Sequence, residues 1–184
     1  MSGTTDKGDR DDLHRLITLC QPPLDLESSP PDRAVAGGLR IPTSHSRLIH
    51  AYGTGCFDEF MWIFADGAEN KHLDITACTD ETRSILRGKD APRLREILNE
   101  YNAGPDDLVQ WGVTDNGDLL TWVAVGNPDG WHTVVIQAGL LDFVLAPRSS
   151  TGVVLDLLTE ALRIPFFPRD FPSTHSEFSA NPYA

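Results

Sequence analysis

The chain has 184 residues, 40% of them hydrophobic, and no apolar run near the roughly 18 residues of a membrane-crossing helix, so one soluble domain with a sizeable core is expected. A formal net charge of -12 and a pI near 4.7 disfavour direct nucleic-acid binding, because phosphate contacts need a basic footprint. Cys20, Cys56 and Cys78 are odd in number and lack C-x-x-C spacing, which argues against a disulfide framework and against a zinc site.

Residues 1–10 are polar, without the apolar stretch of a secretory signal, and read as a disordered tail on a cytoplasmic protein. Asp11 or Asp12 caps a first helix through Leu13, Leu16, Ile17 and Cys20, which recur at helical spacing and stop at Pro22-Pro23. A loop at 28–31 follows, then one helical turn at 32–36 broken by Gly37-Gly38. Thr43 or Ser44 caps a second helix with Leu48, Ile49 and Tyr52 on one face, and Gly53 stops it. A glycine turn then leads into an aromatic-rich strand ending at Phe64. A helical region begins near Thr79, and Asp90 caps another helix bearing Leu94, Ile97, Leu98 and Tyr101, with Gly104-Pro105 as its stop.

From there the period changes from 3.6 to 2. Residues 109–114 and 119–125 flank Asp115-Asn116-Gly117-Asp118, whose Asn-Gly pair predicts a type I′ hairpin. A second turn at Asn127-Pro128-Asp129-Gly130 precedes strands at 131–138 and 140–145. Ser150 or Thr151 caps a last helix with Val153, Val154, Leu157 and Leu158 inward, and the Phe-Pro-rich stretch to Pro172 lies against the domain in extended form. The fold expected is α+β, with a mostly antiparallel sheet of about four to six strands and helices packed on one side. The domain spans 11–172, and 173–184 form a C-terminal tail.

Charge is unevenly placed. Glu96, Glu100, Asp106, Asp107, Asp115, Asp118, Asp129 and Asp142 lie in a stretch with no Lys or Arg, just after a basic cluster of Arg83, Arg87, Lys89, Arg93 and Arg95. Either these acids face a basic partner, or the basic helix neutralises them within the molecule. Convergent chemistry is not visible. His14, His45, His50, His72, His132 and His175 lack metal-ligand spacing, the 115–118 stretch lacks the calcium-loop pattern, and Gly53-Thr54-Gly55 lacks the strand-before-helix setting of a dinucleotide site. No cofactor and no metal are therefore expected, and no catalytic residue. Trp62, Trp111 and Trp122 fall in strands and read as core, whereas Trp131, next to Asp129, is either core or an exposed aromatic anchor.

Several segments in order resemble the SMI1/KNR4 (SUKH) superfamily: Gly38-Leu39-Arg40-Ile41-Pro42, then Tyr52-Gly53-Thr54-Gly55-Cys56-Phe57-Asp58-Glu59-Phe60-Met61-Trp62, then Trp111-Gly112-Val113-Thr114-Asp115-Asn116-Gly117-Asp118 with Trp122, then the last helix and the Phe-Pro tail. The resemblance covers about residues 10–172. It implies an α+β domain and, in bacteria, an immunity protein that binds a cognate polymorphic toxin, often a nuclease or deaminase, and neutralises it by occlusion. Other members are intracellular regulatory scaffolds, which is the alternative reading. Partner-binding positions expected on an acidic face are Asp58, Glu59, Asp115, Asp118, Asp129 and Trp131. The partner expected is a basic protein, with neither nucleic acid nor membrane contacted directly.

Overall fold

A computed structural model describes residues 3–23, 40–139 and 142–180, with side chains from residue 7 onward. The loop expected at 28–31, the helical turn at 32–36, the Gly37-Gly38 break and the strand start at Leu140 lie outside the described residues. Helices and sheet alternate along the chain as α1 (Gly3–Leu19), α2 (Thr43–Tyr52), β1 (Gly55–Phe57), β2 (Met61–Ile63), α3 (Ile75–Arg87), α4 (Pro92–Glu100), β3 (Leu108–Thr114), β4 (Leu119–Val123), β5 (Thr133–Ile136), β6 (Phe143–Ala146), α5 (Ser150–Leu158) and β7 (Phe178–Ala180).

The starts of four helices differ from local expectation. α1 begins at Gly3, so 3–10 are helical and Asp11 and Asp12 lie inside the helix. Its polar first half finds tertiary partners, with Asp9 bonded to Ser149 and Asp12 accepting from Arg148 at 3.0 Å, while Leu16 is fully buried. Pro42 precedes α2, and the Thr43 N–H is satisfied by Asp129 Oδ1 at 2.7 Å rather than by a neighbouring hydroxyl. α3 starts at Ile75, earlier than expected, because Asp74 accepts from the Ala77 N–H at 2.8 Å. α4 opens with Pro92 in its first turn and uses no side-chain cap, so Asp90 has no capping role.

All strand pairings are antiparallel, in the order β6-β5-β4-β3-β2-β1-β7. The α+β class and antiparallel sheet are as expected, with seven strands among the described residues because the run ending at Phe64 divides into β1 and β2 and the C-terminal tail adds β7. Helices cover both sheet faces instead of one. Along β4, Leu120 and Trp122 join a core with α1, α2 and α5, while Leu119 and Val123 pack with Leu86, Leu94 and Leu98 of α3 and α4. Strict alternation sends these two sets to opposite faces. β5 is buried on both faces, and its four residues Thr-Val-Val-Ile are all inaccessible.

A bulge at Trp111 shifts the β3–β4 register between Gln110 and Gly112 and sets the Trp111 ring against Trp122, with centroids 6.1 Å apart. Opposite it, Gln110 accepts from Thr82 at 2.5 Å and its N–H donates to Thr79 Oγ1 at 3.0 Å, which pins α3 to the other face. The β3–β4 turn is not type I′. Gly117 has φ 83° but Asn116 stays at negative φ, and the Gly117 N–H donates to the Thr114 carbonyl at 2.8 Å. This is a type I turn closed by a left-handed glycine, the three-residue loop solution. Positive φ at two successive positions occurs in β1–β2, at Asp58 (52°) and Glu59 (53°), with the Phe60 N–H donating to the Phe57 carbonyl at 3.0 Å.

His45 sits fully buried between the layers. Its Nε2–H donates to the Phe64 carbonyl at 2.8 Å, so Nδ1 accepts from the Ser150 hydroxyl at 3.0 Å, and the ring meets Trp122 edge-on at 4.8 Å. Burial lowers its pKa from 6.5 to about 4, against the raising effect of the Phe64 hydrogen bond. The unfolded chain therefore binds a proton on this ring at pH values where the folded chain does not. The stability it confers is complete above about pH 6.5 and drains as pH falls toward 4, by roughly 3 kcal/mol. Denaturant midpoints measured from pH 7 to pH 4 are expected to fall more steeply for the wild type than for His45→Gln, and parallel profiles would contradict this.

Candidate functional site

The six residues expected at a partner surface separate into two groups. Asp118 is 2% exposed, with one carboxylate oxygen accepting from Thr114 Oγ1 at 2.8 Å and the other from the Ala138 N–H at 3.0 Å. It locks the β3–β4 loop to the end of β5 and is unavailable to a partner. Trp131 is 7% exposed and packs 6.0 Å from Trp122 inside the main core, which resolves its ambiguity toward packing. Asp129 is exposed, yet one of its oxygens is committed to the start of α2. Burial corrects the expected site at Asp118 and Trp131, through a contact with a segment distant in sequence and a sheet face that local pattern does not fix, whereas Asp129 stays at the surface.

Asp58, Glu59 and Asp115 do come together. The Asp115 N–H donates to the Phe60 carbonyl at 2.9 Å, which draws the β3–β4 tip against the β1–β2 turn. Between them lies Trp62, half-buried, whose indole N–H donates to Asp115 Oδ1 at 2.7 Å. Expected as core, Trp62 is the rim aromatic instead. The signal was present: in Met61-Trp62-Ile63 the two flanking side chains are fully buried, so period 2 turns the middle one away. Beneath this patch the Cys56 thiol is pushed up to about 12, first by burial and then by the charges of Asp115, Glu59 and Asp58. Such a thiol is inert as a nucleophile.

Glu59 and Asp115 are exposed, while Asp58 is half-buried and turned toward the C-terminal segment, accepting from the Ser173 N–H at 3.0 Å and the Glu177 N–H at 2.8 Å. Part of the acidic stretch is indeed neutralised internally, since Arg87 pairs with Asp106 at 2.7 Å and Arg93 with Asp142 at 3.8 Å. Elsewhere Arg148 pairs with Asp12 and Asp156, and Arg163 with Glu160. A cavity of about 240 Å³ lies between the end of α5 and the Phe-Pro stretch, lined in part by Leu157, Ile164, Phe167 and Arg169, and holds none of the six expected residues. Among the described residues no group of three or more His, Cys, Asp or Glu is placed to hold a metal ion, and no helix is long and apolar enough to cross a membrane. What the arrangement offers chemically is a half-buried aromatic ring with an acidic rim on tight turns.

No family model matches the chain, and no curated protein and no solved structure shows significant similarity to it.

The two groups respond differently to substitution. Asp118→Asn is expected to destabilise by about 1–3 kcal/mol, because an amide cannot accept both bonds equally, and Trp131→Ala by about 3–5 kcal/mol. Asp115→Asn, which keeps an acceptor for Trp62, is expected to stay within about 0.5 kcal/mol of wild type. Urea denaturation of the three variants checks the order, and a neutral Asp118→Asn would contradict it.

Proposed function

We propose that this chain is a non-enzymatic, cytoplasmic protein-binding domain of the SMI1/KNR4 immunity type, which neutralises a basic toxin domain by occluding it. The observation that carries the reading is the meeting of exposed Glu59 and Asp115 with half-buried Trp62 at one end of the sheet. An aromatic ring partly held out of the core, with charge around it, has the composition of an interface anchor and its rim. Rim carboxylates mainly raise the association rate and select partners of opposite charge, and salt screens their effect. The sequence resemblance adds the partner class, a nuclease or deaminase toxin whose substrate is polyanionic and whose surface is correspondingly basic.

Occlusion needs no turnover, only a rigid surface. Both turns are short and joined by a backbone hydrogen bond, and the Trp62 indole holds the Asp115 carboxylate, which reduces the ordering cost of association.

Co-expression with the product of the adjacent gene is the direct test, with a stable complex and restored growth as the expected result. The double variant Glu59→Gln with Asp115→Asn is expected to slow association by about tenfold at low salt and much less at high salt, with the melting temperature nearly unchanged. Neither complex nor protection in that assay would refute the proposal.

A further inference from the structure

We propose that the outer edge of β1 is a strand-acceptor site which β7 fills in cis, and that its trans ligand is an extended segment of a basic protein partner carrying an aromatic anchor preceded by Lys or Arg. The inference rests on the protein-binding reading above and specifies the partner's recognition segment.

β7 differs from the other strands in how little holds it. It is three residues long, Ser179 and Ala180 are exposed, and its one inward side chain, Phe178, meets Tyr52 at 5.0 Å and Phe57 at 4.8 Å. β1, by contrast, is buried along its whole length. Short edge elements with exposed ladder bonds open at low free-energy cost, and edge addition of an extended peptide is a general recognition mode. The acceptor is also shaped for a closely passing backbone. At Gly55, opposite Ala180, a Cβ would collide with the Ser179 carbonyl and the Phe178 ring.

The cis strand carries an electrostatic mismatch. Asp58 and Glu177 share two hydrogen bonds: the Asp58 N–H donates to the Glu177 carbonyl at 2.9 Å, and the Asp58 side-chain Oδ1 accepts from the Glu177 N–H at 2.8 Å. Glu177 thus lies opposite Asp58 in the backbone pairing, with Glu59 next along the turn, and the charges of both Asp58 and Glu177 raise the Cys20 thiol after burial does. Like charges opposite one another across strands are unfavourable. A ligand with Lys or Arg in place of Glu177 turns that repulsion into attraction, whereas the strap of a second copy brings the same Glu177 and gains nothing over the cis strand.

The test uses the full-length chain and two labelled peptides, residues 173–180 as they stand and the same peptide with Glu177→Lys. Against wild type both are expected to bind weakly, because the tethered strap competes at high effective concentration. Against Phe178→Ala, whose strap has lost its anchor, the Glu177→Lys peptide is expected to bind at least about tenfold more tightly than to wild type, and about tenfold more tightly than the unaltered peptide at low salt. Ser179→Pro, which removes the N–H of the central strap residue, is a second route to the open edge and should behave as Phe178→Ala does. Gly55→Ala should bind neither peptide, since the added Cβ blocks the approach. Equal binding of the two peptides, binding that survives Gly55→Ala, no binding to either opened variant, or a strap-exchanged dimer by light scattering would each overturn the proposal. Failure here would leave capture of a basic partner by Glu59 and Asp115 standing, and failure of that capture would not alter the peptide result.

Discussion

A neutral, fully buried imidazole with both nitrogens committed fixes how the layers meet. His45 on α2 donates to the Phe64 carbonyl just beyond β2 and accepts from Ser150 at the start of α5, so one ring ties a helix to the sheet and to a second helix. Apolar contacts alone would let those elements slide by a fraction of a turn, since a leucine packs almost as well one rotamer away. Hydrogen bonds in a medium of low dielectric do not allow it, because each broken bond leaves a buried polar group unpaired at a cost of about 1–3 kcal/mol. The neighbouring bonds then fall into register. Thr151 Oγ1 donates to the Ser44 carbonyl at 3.0 Å, and the Tyr52 hydroxyl at the far end of α2 donates to the Cys20 carbonyl at 2.5 Å, which closes α1 onto the same layer.

With α1, α2 and α5 on one face and α3 and α4 on the other, much of the sheet surface is withdrawn from partners. What the sheet itself presents to solvent is thereby concentrated at its turn tips and its two edge strands. That geometric consequence explains why the half-buried Trp62 and its acidic neighbours lie at the β1–β2 and β3–β4 turns, and why Trp111, Trp122 and Trp131, all on strands or at a strand entry within the helix-covered region, are buried. Position relative to the helical layers, more than residue type, decides which aromatics and which carboxylates meet solvent.

Period and punctuation carried much of the architecture: the antiparallel pairs from β3 to β6, the helix of Leu94 and Leu98, the stop at Gly53 and the last helix, capped by Ser149, one residue before the expected position, were all legible as local pattern. What was not legible depends on chain segments far apart. Asp129 caps a helix 86 residues away, and Asp118 answers an N–H 20 residues away, so both looked like free turn acids. The second helical layer was hidden for a similar reason. α3 is polar along much of its length, and Thr79 and Thr82 find their partners in Gln110 only because the Trp111 bulge lies beside it in β3. β7 gave no strand signal, since a Phe-Ser-Ala triplet acquires extended structure only from the β1 edge it meets.

Backbone strain bears on why the β1–β2 turn is acidic at all. Asp58 and Glu59 both hold positive φ, a region that costs a non-glycine residue about 1–2 kcal/mol and that Gly or Asn would occupy more cheaply. For Asp58 the compensation is visible, because its carboxylate accepts two strap N–H groups. Glu59 is exposed at the tip of the turn, and its charge adds to that of Asp115 and Asp58 over the Cys56 thiol. Backbone strain of this kind gathers at binding sites, so its presence at Asp58 and Glu59 agrees with the proposed partner surface. The charge such a partner would carry follows from the surroundings. Asp115, Asp58 and Glu59 together oppose ionisation of Cys56, so a negative potential exists there in the free protein. Bringing up a cation relieves this repulsion, and the low-dielectric backing of Cys56 and Trp62 strengthens the attraction beyond its value at an open surface.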